Sequence, residues 1–153
     1  MKWDGSIDPT FNAPLIWNRD NDGFSRIIVQ ADGKIVVGSY KGDFTSRPSY
    51  AGDLFPGISA NMFRLNPDGS PDGFQSQARI AVKAIVLLAN GRFLIGGTGG
   101  TSPHAGIARL LENGTVDPTF IANLGSGEVN EILLQKTGKI VVIGNCVTIN
   151  GRP

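Results

Sequence analysis

The chain has 153 residues, 41% hydrophobic and 18% charged, a balance that buries a core and excludes a disordered chain. Its net charge is +1, and no run of like charge offers a footprint for nucleic acid or an anionic membrane surface. No apolar stretch approaches the length that crosses a bilayer as a helix, about 20 residues.

Twenty-one glycines and nine prolines predict many tight turns, and because the glycines follow no three-residue period they do not indicate collagen. The start, MKWDGSIDPTF, lacks the apolar core of a signal peptide. The lone Cys146 excludes an internal disulfide and reads as a small strand hydrophobe.

In chain order, the first element is DGSIDPTF (4–11), a turn or short edge strand whose proline fixes φ and removes a ladder donor. Next comes Asn18-Arg19-Asp20-Asn21-Asp22-Gly23, similar to the opening of an oxygen-rich calcium loop. Asn18, Asp20 and Asp22 are the candidate ligands, which makes calcium the one cofactor considered. The twelfth position, where a bidentate Glu belongs, is Val29, so an Asx-rich turn competes with the calcium reading.

A hairpin follows at 24–40, FSRIIVQADGKIVVGSY. Its β-branched runs flank Asp32-Gly33, a pair that favours a two-residue primed turn. The second run is apolar on successive residues, the pattern of a strand covered on both faces. A long connector, 41–58, carries Phe44, Tyr50, Leu54 and Phe55, and is the candidate partner-contacting loop. The block NMFRLNPDGSPDGF (61–74) then supplies a third strand, a turn and an edge segment.

The rest of the chain repeats these parts. VKAIVLLANGRFLIGGT (82–98) and VNEILLQKTGKIVVIGN (129–145) align with the first hairpin without a gap, at offsets of 58 and 47 residues, placing Gly33, Gly91 and Gly138 in one column. GIARLLENGTVDPTF (106–120) aligns with 61–74, pairing Arg64 with Arg109 and Phe74 with Phe120; the tail of the same block at the N-terminus adds Phe11. The three phenylalanines are expected to fill the space between neighbouring units. No segment shows a sustained helical period. The expectation is an all-β chain of about three antiparallel four-stranded β-propeller blades, in approximate units 4–66, 68–111 and 113–153.

The array is cut in phase. It stops at Asn150-Gly151-Arg152-Pro153, just before the expected Arg-Leu strand of the third unit, and opens on the sequel of such a strand. Three blades seldom close a ring, so closure is expected from oligomerisation or from further blades.

At these residues the chain resembles a known family. Val-Gln-x-Asp-Gly-Lys-Ile-Val-Val-Gly (29–38) followed by Arg-Leu-Asn-x-Asp-Gly-Ser-x-Asp-x-x-Phe (64–74) is similar to the bacterial delta-60 repeat, a presumed β-propeller repeat; weaker copies stand at 87–96, 109–120 and 134–144. The resemblance implies a repeat module of large surface, adhesion or phage-tail-like proteins, located extracellularly, at a cell surface or in a virion. It carries no catalytic motif to transfer.

Catalytic constellations are sparse. His104, the only histidine, stands in Thr101-Ser102-Pro103-His104, but no oriented carboxylate accompanies a Ser102–His104 pair. One Cys and one His argue against a zinc site. The glycine run 96–100 lacks the Lys-Ser/Thr of a phosphate loop. Asp8, Asp72 and Asp117 recur at equivalent places, which argues for turn capping rather than one acid–base pair. Arg64 and Arg109 are expected to pair with nearby carboxylates or carbonyls.

The expected function is therefore a non-catalytic structural or adhesive module, with other copies of itself or adjoining blades as partners. The alternative is a lectin-like propeller binding glycans between blades. Trp3, Trp17, Tyr40, Tyr50 and Phe55 supply aromatic surface for that reading, although the units do not repeat them in register.

Overall fold

The computed structural model describes residues 1–13, 23–40, 61–100, 104–122, 124 and 127–145. Nine strands fall there: β1 (Phe24–Val29), β2 (Ile35–Ser39), β3 (Met62–Leu65), β4 (Pro71–Gln75), β5 (Ile80–Leu87), β6 (Phe93–Gly99), β7 (Ile107–Leu110), β8 (Val129–Leu134) and β9 (Ile140–Gly144). All pairing is antiparallel. The strands form sheets β1-β2-β3-β4, β5-β6-β7 and β8-β9, with Leu110 and Val116 adding an isolated bridge to the second. Where the sequence predicts about three four-stranded units, the described residues hold four, three and two strands. Among them there is no helix, hence none long and apolar enough to cross a membrane.

The three aligned hairpins share their register. In each, register slips by one residue in the first strand, at Ser25, Lys83 and Asn130, leaving a β-bulge at the same place. The turns differ from the two-residue form expected. The Gln30 amide donates to the Lys34 carbonyl at 2.8 Å and the Gly33 amide to the Gln30 carbonyl at 3.0 Å, so three residues connect the strands. Gly33 alone carries the left-handed conformation the motif needs, at φ 83°. Asp32 closes the turn by accepting from the Lys34 amide at 3.1 Å. Gly91 and Gly138 make the same amide bond, to Leu88 and Gln135.

Sheets pack face against face. One apolar cluster joins Val36, Met62 and Phe74 of the first sheet to Ile80, Val82, Ile85, Phe93 and Ile95 of the second. The other joins Ala84, Leu94 and Ile107 to Val129 and Ile132 of the third sheet. β6 thus sends Phe93 and Ile95 one way and Leu94 the other, which is why its sequence is apolar at every step. Each such side chain, fully buried, contributes roughly 1.5–3 kcal/mol. β9 has the same apolar sequence but stays largely exposed, because among the described residues no strand pairs with its far edge.

Turn glycines also receive the tail of the preceding block. A Cβ added to Gly114 would lie 2.3 Å from the Gln75 carbonyl oxygen, and one added to Gly69 would lie 2.6 Å from the Ala13 nitrogen. The N-terminal tail therefore lies against the first sheet as the end of β4 lies against the second. Asn12 fixes it by donating its amide to the Asp68 carbonyl at 2.8 Å.

Candidate functional site

The repeated polar residues assemble into two ion clusters. Arg64 Nε donates to Asp72 Oδ2 at 2.6 Å, and Lys34 Nζ stands 3.3 Å from the same oxygen. The Arg64 guanidinium also lies 4.7 Å over the Phe74 ring. In the second sheet Asp117 Oδ2 takes Arg109 Nε and Arg92 Nη1, each at 2.9 Å, and Arg109 covers Phe120 at 5.1 Å. The repeat alignment left carboxylates or carbonyls as partners for the two arginines, and the partner found is a carboxylate in both. The third member, Lys34 or Arg92, was visible only as the basic residue after each hairpin glycine.

These carboxylates are held ionised. The Thr119 hydroxyl and amide, aided by Arg109, bring Asp117 down to about 2. Burial opposes the charge on Asp72, but the Phe74 amide and Arg64 outweigh it, so this group too lies below its ordinary value. Neither has a proton to give at neutral pH, which is what a glycoside-cleaving acid requires. Their geometry ties an edge segment to its sheet. Asp8 repeats half of it: Oδ1 accepts from the Thr10 amide at 3.0 Å and hydroxyl at 2.7 Å, as Asp117 does from Thr119. No guanidinium reaches Asp8 among the described residues.

Phe74 is buried against Phe93, ring centroids 5.5 Å apart. Phe120 is half-buried beside the second cluster, and Phe11 is exposed. Tyr40 is exposed as well, at the end of the first hairpin. The other aromatic candidates, Trp17, Tyr50 and Phe55, and the calcium candidates Asn18, Asp20 and Asp22, lie outside the described residues. Among the described residues, no group of three His, Cys, Asp or Glu is placed to hold a metal ion.

One cleft, about 290 Å³, opens at the second sheet, lined by the connector residues 77–79 together with Ile80, Gly100, His104 and Val116. His104 Nδ1 is buried there without a hydrogen-bond partner among the described residues. Sequence reasoning weighed His104 beside Ser102, which lies outside the described residues, and did not find Arg79. The cleft offers an imidazole and a guanidinium, but among the described residues no carboxylate lines it to orient the ring as a general base.

The larger open features are two apolar faces. On the first sheet Phe24, Ile27 and Val29 face outward; on the third, Leu133, Val141 and Ile143 do. Salt bridges cross between sheets nearby: Lys83 Nζ to Glu128 Oε1 at 2.6 Å, and Arg26 Nη2 to Glu131 Oε2 at 2.5 Å. The Ser25 hydroxyl donates to the Val82 carbonyl across the first boundary.

Comparison with known proteins agrees with this architecture. No curated protein and no solved structure matches the chain. Residues 88–120, from the second hairpin turn to Phe120, match a family model described as a domain of unknown function (DUF5122), beta-propeller. The match supports a β-propeller repeat family for a chain whose described part is all-β and antiparallel.

Proposed function

We propose that this chain is a non-catalytic propeller module whose open faces are completed by further blades, so that its work is assembly. One observation carries the reading. Ile85 and Ile132 occupy the same hairpin position and are 9% and 2% exposed where one sheet seats on the next, whereas Ile27, at that position in the first sheet, is 68% exposed. A join made twice inside the molecule is thus presented again, half-made, on its outside. Exposed apolar patches of this kind mark interaction surfaces, and repeat units are stabilised chiefly by their neighbours. The delta-60 resemblance supports a setting at a cell surface or in a virion.

Light scattering with an apolar dye tests the proposal. The expected result is either a discrete multiple of 16.2 kDa that excludes the dye or a monomer that binds it on open faces. A monomer that excludes the dye, with β1 and β9 amides as protected from exchange as those of β6, has closed its own faces and defeats the proposal.

A further inference from the structure

The two internal joins share one geometry. At the first, a Cβ added to Gly38 would lie 2.9 Å from Ile85 Cδ1 and 2.9 Å from Val82 Cγ1. At the second, one added to Gly96 would lie 2.9 Å from Ile132 Cδ1 and 2.4 Å from Val129 Cγ1. Ladder register makes the positions equivalent, since Gly38 stands opposite Arg26 and Gly96 opposite Ala84. In each join a valine and an isoleucine three residues on form a tooth, and the missing side chain of a glycine forms the gap. Interiors packed this closely have no room for one added methyl unless a neighbour moves.

The outer faces carry the same positions with other residues. Ile143 stands opposite Glu131 and so occupies the glycine position of the third sheet; it is 56% exposed. On the first sheet the tooth is Phe24 and Ile27, with phenylalanine where the internal joins have valine. Phe24 leans edge-on against Phe63, ring centroids 6.2 Å apart.

Taking the open faces as assembly surfaces, we infer that they are not complementary to each other and select different neighbours. The Phe24–Ile27 face fits a blade with glycine at the position of Gly38. The Ile143 face fits a blade whose tooth is small where Val82 and Ile85 are large. Docking the first sheet of one copy on the third sheet of another would set Phe24 and Ile27 against Ile143, in a space that internally excludes a single methyl. A head-to-tail ring of identical copies through this join is therefore not expected; the neighbours are blades of different sequence.

Light scattering of the wild type and of a double variant, Ile143→Gly with Phe24→Val, tests this. The double variant restores both parts of the internal join. The wild type is expected at 16.2 kDa, and the double variant as concentration-dependent multiples that a further Ile27→Asp disperses. A wild-type multiple that Ile27→Asp disperses overturns the inference. So does a double variant that keeps the wild-type circular dichroism and melting yet stays monomeric. Should the double variant not fold, the wild type and its Ile27→Asp form decide between the same two outcomes. A self-joined wild type defeats this inference alone, whereas a dye-excluding monomer defeats the open-face reading on which it rests.

Discussion

β6 and β9 are equivalent strands with nearly interchangeable sequences, Phe-Leu-Ile-Gly-Gly and Ile-Val-Val-Ile-Gly, and opposite fates. Phe93 and Ile95 are 0% exposed, whereas Ile140 and Ile143 are 37% and 56% exposed. Both strands pair with a bulged partner through the same three-residue turn. What differs is what lies beyond them. β6 has β7 along its other edge and a sheet on each face; β9 has one partner strand and one neighbouring sheet among the described residues. Hairpin geometry is thus written in the hairpin, while burial is conferred by its neighbours.

The sharpest test of that contrast is truncation. Phe93→Ala removes a fully buried ring and should cost about 3–5 kcal/mol in urea unfolding. Ile140→Ala, at the matching position of β9, should cost about 1 kcal/mol or less. Equal losses would mean that β9 is covered in solution. The glycine position comes next: Gly96→Ala forces a Cβ to 2.4 Å from Val129 and should cost about 1–3 kcal/mol. Ile143→Ala should stay within about 0.5 kcal/mol.

Acid sensitivity separates Asp117 from Asp8. The folded state holds Asp117 at about 2, below its ordinary 3.8. The stability it contributes is therefore fully present above its ordinary value and is lost as pH falls toward 2. Asp117→Asn should flatten that part of the urea-midpoint profile. Asp8→Asn should change it less, because the Thr10 hydroxyl and amide lead in lowering Asp8 and, among the described residues, no guanidinium is near. The smallest effect belongs to Arg26→Ala. Its exposed bridge to Glu131 should be worth about 0.2–1 kcal/mol and fade in 1 M salt, where the screening length is about 3 Å.

Much of this architecture was legible because the repeat compares the chain with itself. Gly33, Gly91 and Gly138 marked three hairpins, and all three are present. Asp32-Gly33 misled over the loop type. The dipeptide suits a two-residue primed turn, but the observed loop has three residues, with the left-handed glycine as its last. Arg64 and Arg109 were expected to pair with nearby carboxylates or carbonyls, and the carboxylate each meets lies eight residues further on, a local relation. Lys34 and Arg92 come from a different hairpin strand, and only the ladder brings them to the same oxygen. Exposure at Ile27 was beyond any local pattern, since its buried counterparts Ile85 and Ile132 are isoleucines too. The cleft at Arg79 and His104 gathers residues from 77 to 116, so no contiguous motif announces it. Of the aromatics considered for sugar stacking, Trp3 and Tyr40 fall within the described residues, both exposed.

The alternation along β6 has a practical corollary. Leu94 holds the third sheet, while Phe93 and Ile95, on either side of it, hold the first. Adjacent codons therefore address separate attachments, and a designer can loosen either neighbour of the central hairpin without touching the other.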